Sequence, residues 1–143
     1  MRIFLAAPLF CESELEFNSE IASRLRSAGF DVWLAQESSS YKKGPAHEKD
    51  KIFKKDISAL RVSDLVVAVL DGVDVDTGVA FELGYACASG KTLVGLKTDY
   101  RTFSKTEEVN LMIEVPLSKL CRSVDGLIEY LKTEENAVKK PKP

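Results

Sequence analysis

Near the middle of the chain lies an uninterrupted apolar run, Leu65-Val-Val-Ala-Val-Leu70. Successive side chains of a strand point to opposite faces, so a run with no polar interruption predicts a strand covered on both sides. Such a strand belongs in the middle of a parallel sheet. The surrounding sequence alternates strand-like and helix-like patterns. Residues 3–7 form a short apolar run closed by Pro8, and residues 30–34 and 92–96 have the same character. Residues 13–28 set Leu15, Ile21, Ala22 and Leu25 at helical spacing before Gly29, and residues 49–61 do the same with Ile52, Phe53, Ile57 and Leu60. Residues 77–89 predict a third long helix, stopped by Gly90. Residues 107–112 predict a short helix, a weak strand falls at 113–115 or 119–121, and residues 124–133 predict a closing helix.

Alternation of this kind, with short connections, predicts an α/β fold. It is a single-domain three-layer sandwich with about five parallel strands in a flavodoxin-like or Rossmann-like order. The length of 143 residues suits one domain. Residues 1–136 are assigned to it, and residues 137–143 to a charged tail expected to be disordered. Sheets of this class bind ligands beyond the carboxyl ends of their strands. The loops after residues 7, 34 and 70 therefore open onto the expected ligand rim. The loop at 35–48 is long and rich in Ser, Lys, Gly and Pro.

Composition removes several chemistries. The single histidine, His47, falls in that loop, and Cys11, Cys87 and Cys121 are far apart with no C-x-x-C pair. No zinc site of the N/S type is expected, nor a disulfide framework, and the scattered thiols suit a reducing compartment. No apolar run approaches the ~18 residues of a membrane span, and residues 1–8 are too short and too soon interrupted for a signal peptide, so a cytoplasmic protein is expected. The formal net charge is -2, but three lysines lie in the last five residues, and without them 17 basic residues face 22 acidic ones. An acidic body argues against nucleic acid as a partner. If the chain is an enzyme, carboxylates are its expected working groups, with no metal.

The segment Asp71-Gly-Val-Asp-Val-Asp-Thr-Gly-Val-Ala-Phe-Glu-Leu-Gly-Tyr-Ala86 leaves the central strand and enters a helix. Asp76 is placed to cap that helix. Glu82 follows about a turn and a half later, and a helical side chain leans back over the preceding turn. The residue four before it is Gly78, so open space is expected above the Glu82 carboxylate. A carboxylate under open space at the ligand rim suits a nucleophile or general base. A structural reading stands beside this one. An early helical Glu is favoured by the helix dipole, Gly78 and Gly84 can serve close packing, and Asp71, Asp74 and Asp56 can be ordinary turn or helix residues.

The stretch Gly78-Val-Ala-Phe-Glu-Leu-Gly-Tyr-Ala86, preceded by Asp76, resembles the signature of the nucleoside 2-deoxyribosyltransferase family. Ile3-Phe-Leu-Ala-Ala-Pro-Leu-Phe10 resembles its first strand and substrate loop. Lys55-Asp56 with Ser63-Asp64 resembles its second helix, and Asn110-Leu-Met112 its short Asn-Leu-Met element. The likeness spans residues 3–130.

The resemblance implies exchange of the base of a 2′-deoxyribonucleoside for another nucleobase, with retention at C1′ and no cofactor. It makes Glu82 the nucleophile and Asp56 the group that protonates or orients the leaving base. Asp76 would position the deoxyribose. Asn110 would reach the sugar 5′-hydroxyl of a neighbouring subunit, which implies a homo-oligomer with shared sites. Gln36 and Glu37 are base-edge candidates, since an amide matches donor-acceptor pairs of both purines and pyrimidines. Ala7, Gly78 and Met112 complete the expected substrate contacts. Phe4 stands where members of the family carry a Tyr that orients the nucleophile. Tyr85 is expected to pack rather than react.

Two alternatives remain at this point. A 2′-deoxynucleoside 5′-monophosphate N-glycosidase would use the same Glu82 and pass the sugar to water. It would want a phosphate cradle after the first strand, where this chain has Pro8-Leu-Phe-Cys-Glu-Ser-Glu14, with two acids and no glycine. The other alternative is a non-catalytic nucleoside-binding module.

Overall fold

The computed structural model describes residues 1–38 and 48–139. In chain order the elements are β1 (Arg2–Ala6), α1 (Glu12–Ser27), β2 (Asp31–Leu34), a 3-10 turn (Ala35–Glu37), α2 (Lys49–Val62) and β3 (Leu65–Val69). They continue with α3 (Thr77–Ala88), β4 (Thr92–Leu96), α4 (Leu111–Glu114), β5 (Lys119–Cys121) and α5 (Val124–Lys139). The five strands pair in the order β2-β1-β3-β4-β5, and every pairing is parallel. This is the flavodoxin-like order. All five residues of β3 are buried, as the unbroken apolar run predicts.

Alternation along the strands divides the core into two layers. Ile3, Leu5, Val67 and Val94 face α1 and α5, meeting Ile21, Leu25, Leu127 and Leu131. Phe4, Ala6, Val66 and Ala68 face the other way, toward Ala59 and Leu60 of α2 and Val79 and Leu83 of α3. Each fully buried Leu or Ile contributes roughly 1.5–3 kcal/mol relative to exposure. Gly95 marks the tightest approach. A Cβ there would come within 2.8–2.9 Å of the methyl ends of Leu70, Leu117 and Leu120, so any larger residue would force those three leucines to shift.

The chain departs from the sequence expectation near its end. The short helix is Leu111–Glu114, not 107–112, because Asn110 caps it by accepting from the Met112 N–H at 3.0 Å. The last strand is Lys119–Cys121, the second of the two expected positions. Helix α5 runs past Thr133 to Lys139, so it enters the stretch assigned to a tail. Its apolar residues, Leu127 and Leu131, dock it on the core, while its later turns are polar, which hid their helicity. Residues 39–47, with His47, and residues 140–143 lie outside the described residues. No helix among the described residues is long and apolar enough to cross a membrane. Cys11 and Cys87 are exposed, Cys121 is buried, and all three are free.

Candidate active site

At the carboxyl ends of β1 and β3, the chain turns into the α1 and α3 layers on opposite sides of the sheet. The β3–α3 connection is fastened from behind. Lys97, at the end of β4, is buried, and its Nζ donates to Asp99 Oδ1 at 2.6 Å, the Gly72 carbonyl at 3.0 Å and the Leu70 carbonyl at 3.3 Å. Asp99 accepts from the Gly72 N–H at 2.9 Å, and Asp71 accepts from the Thr98 hydroxyl at 2.7 Å. Desolvation would raise the Asp99 pKa, but hydrogen bonds from Lys97, Gly72 and Arg101 outweigh it and hold the group near 2. The loop that leads to Asp76 is thereby tied to β4.

Asp76 caps α3, its Oδ2 accepting from the Gly78 N–H at 2.8 Å and the Val79 N–H at 3.1 Å. The structural reading of this residue is therefore correct, but it covers one oxygen only. Asp76 also lines a hollow of about 60 Å³ with Gly78, Val79 and Glu82. The opposite wall is Leu5, Ala7, Leu9, Phe10 and Ala35. At ~30 Å³ per water, the hollow holds the reacting face of a small molecule rather than the whole of one. Glu82 and Gly78, one turn apart on α3, line the same hollow.

Glu82 is a strongly perturbed acid. Burial first, then the negative charges of Asp56 and Asp76, push its carboxyl from 4.5 to about 8. Asp56 comes from α2, and its Oδ1 is shut off from solvent. Three acids from two helices thus act on one another at the rim. No group of three or more His, Cys, Asp or Glu among the described residues is arranged to hold a metal ion.

Of the expected site residues, the hollow gathers Glu82, Asp76, Ala7 and Gly78, and Asp56 acts on it electrostatically. Phe4 is a correction: it is fully buried between β1 and the α2–α3 layer and does not line the hollow. Its even position in β1 turns it into the core. Gln36 does not line the hollow either. Its amide donates to the Leu15 carbonyl at 2.8 Å and Ser19 Oγ at 2.9 Å, and accepts from Asn18 at 3.1 Å, which locks it onto α1. Glu37 pairs with Arg26 at 2.7 Å on the surface. Tyr85 accepts from Arg61 Nε at 2.8 Å, a packing role. Asn110 and Met112 do not line the hollow, and Met112 is 76% exposed. Leu9 and Phe10 were missed, although an aromatic two residues after Pro8, where the first strand ends at the ligand rim, is a signal for such a wall.

A larger hollow, about 1010 Å³, lies between β2 and α2, lined by Trp33, Lys51, Lys54 and Lys55 among others. It contains neither Glu82 nor Asp76, so the chemistry assigns the site to the smaller one.

The family model described as Nucleoside 2-deoxyribosyltransferase matches residues 3–129. None of the curated proteins matches the chain. Among solved structures, a conserved protein from Enterococcus faecalis V583 is 29% identical, with a TM-score of 0.79 over 94% of this chain and 98% of that one. The 2-deoxyribosyltransferase of Bacillus psychrosaccharolyticus is 26% identical, with a TM-score of 0.77 over 91% and 92%. A CMP N-glycosidase of Clostridium botulinum, 21% identical with a TM-score of 0.60 over 92% and 99%, shares the fold. With the matched stretch running from β1 into α5 and taking in Asp56, Asp76 and Glu82, the chain belongs to the nucleoside 2-deoxyribosyltransferase family.

Proposed function

We propose that the protein transfers the 2-deoxyribosyl group from one nucleobase to another by double displacement at Glu82. The observation that carries this reading is the position of that carboxyl. It lines a small hollow and is pushed up to about 8 by burial and by two other acids. A group held this way keeps a proton in the resting site and is a strong nucleophile once it gives that proton up.

The steps balance as follows. The acid pair Glu82–Asp56 supplies one proton, which passes through Asp56 to the leaving base. The C1′–N bond breaks with its electron pair going to the base. The Glu82 carboxylate, now ionised, stabilises the oxocarbenium character at C1′ and captures it as an ester. The incoming base then attacks C1′, the ester bond breaks back to carboxylate, and the proton lost by that base returns to Asp56. Two inversions give retention. Asp76, with one oxygen engaged in the helix cap, offers the other to a sugar hydroxyl.

Asn110 and Met112 serve a second copy of the chain in this reading. Leu111, Met112 and Val115 are 51%, 76% and 79% exposed, an apolar strip at the end of the α3–α4 layer that suits a homo-oligomer. The substrates are a 2′-deoxyribonucleoside and a free nucleobase, and no cofactor enters the reaction.

The test is incubation with 2′-deoxyinosine and adenine, followed by chromatography. 2′-Deoxyadenosine formed by the wild type and absent with Glu82→Ala is the expected result. Release of free sugar with no exchange would replace this reading with a hydrolase. Unchanged turnover in Glu82→Ala would overturn the role of Glu82.

A further inference from the structure

We propose that the hollow between β2 and α2 is a second ligand site. It is built for a flat aromatic ring that carries a phosphate, of which a nucleoside monophosphate is the simplest form. The ring lies against Trp33 and the phosphate among Lys51, Lys54 and Lys55. The proposal does not depend on the base-exchange reading.

The hollow is about 1010 Å³, large enough for a whole small molecule. Among the described residues it shares no lining side chain with the hollow at Glu82. Its two ends differ. α2 runs back along the sheet, so its last residue, Val62, lies near the start of β1, where the Asp64 carboxylate accepts from the Arg2 N–H at 2.6 Å. The charges at this end cancel, because Arg2 Nε donates to Asp31 Oδ2 at 2.6 Å. The middle is apolar, walled by Trp33 and Ala59. The other end lies beyond β2, where Lys55 Nζ donates to Ser38 Oγ at 3.3 Å.

Three lysines gather at that end. Lys51, Lys54 and Lys55 stand at i, i+3 and i+4 of α2, on one face of the helix. Two acids answer them: Asp50 lines the hollow, and Glu48 pairs with Lys51 at 3.2 Å. Three cations against two anions leave a positive excess, and ammonium groups bind phosphate as point charges. Trp33 supplies the flat wall. Its ring is half-buried, and its Nε1 is shut off from solvent with no acceptor. Buried N–H groups are almost always paired, so this ring is held by packing alone. Turning it toward the hollow breaks no hydrogen bond and lets Nε1 meet an acceptor on the ligand. A nucleobase stacks on such a ring whatever the pattern of its edge. An apolar middle with cations at one end therefore matches a base with a phosphate at one end.

Trp33 is the only tryptophan in the chain, so its emission reports on this hollow alone. The experiment titrates the protein with adenosine 5′-monophosphate, adenosine and inorganic phosphate, reading tryptophan fluorescence and the indole N–H peak in a ¹H–¹⁵N spectrum. The monophosphate should quench the emission saturably and shift the indole peak over the same concentrations. Adenosine and phosphate should each bind about tenfold more weakly or worse, since each carries half of the recognised chemistry. Both Lys51 and Lys54 are exposed, so the pair of substitutions Lys51→Gln and Lys54→Gln should leave the melting curve in place while weakening the monophosphate by about tenfold. Added salt should weaken it too. Glu82→Gln should bind as the wild type does. Neither quenching nor a peak shift with the monophosphate overturns the proposal. So does equal binding of adenosine and its monophosphate, or an affinity untouched by the lysine substitutions. Binding lost in Glu82→Gln overturns it as well, by moving the ligand to the other hollow.

Discussion

The buried carboxyl of Glu82 makes folding stability depend on pH in a direction opposite to that of most acids. Its pKa is 4.5 in an unfolded chain and about 8 in the folded one. Between those values the native state keeps a proton that the unfolded state has released, so stability is full below pH 4.5 and falls as pH rises toward 8. The gap corresponds to an upper value of roughly 5 kcal/mol. For a domain of this size, where 1 kcal/mol moves Tm by roughly 2–4 °C, that is on the order of 10 °C. Glu82→Gln keeps the shape of the side chain and removes the titration. Thermal melts of both proteins from pH 4.5 to 9 should therefore start close together. The variant should gain steadily on the wild type and level off above pH 8. Subtracting one curve from the other cancels every group that does not interact with Glu82. A difference that stays flat across this range would refute the claim that burial and the neighbouring acids hold a proton on Glu82.

Asp76→Asn keeps an oxygen for the Gly78 and Val79 N–H groups but removes one of the two charges pressing on Glu82, so the falling limb of kcat/KM against pH, where the acid pair loses its proton, should move below 8. An unmoved limb would separate Asp76 from the nucleophile electrostatically. Lys97→Met leaves the Leu70 and Gly72 carbonyls and Asp99 without their shared donor. Urea denaturation should show a loss of roughly 2–3 kcal/mol, and no loss would mean the tie behind the β3–α3 loop is not structural.

The layered fold was legible because its signal is periodicity. The unbroken run at Leu65–Val69 and the helical spacing of Ile21, Leu25, Ile57 and Leu60 point to the same sandwich. The capping role of Asp76 was legible because helix geometry fixes which residue caps. Gln36 and Phe4 were not, because both depend on tertiary partners. The buried Asn18, ten residues beyond Pro8, draws Gln36 onto α1 through a bond that no local pattern encodes. Phe4 shows the limit of a resemblance taken position by position: strand alternation turns it into the core whatever a relative carries there. The helical end of α5 escaped notice for the opposite reason, since its last turns carry no apolar stripe.

The parallel pairing of β1 with β3, Ile3 against Leu65, has a consequence for how this protein comes into being. Asp56, Asp76 and Glu82 all lie in the second half of the first hundred residues, whereas Leu5, Ala7, Leu9 and Phe10 are made at the start. The two walls share no local contact and meet only through a pairing distant in sequence, the kind that forms late and slowly. An intermediate with all its helices but an unpaired first strand would have its acids and no hollow. Recovery of catalysis after dilution from denaturant is therefore a clock for closure of the sheet, and it should lag behind the return of helical circular dichroism.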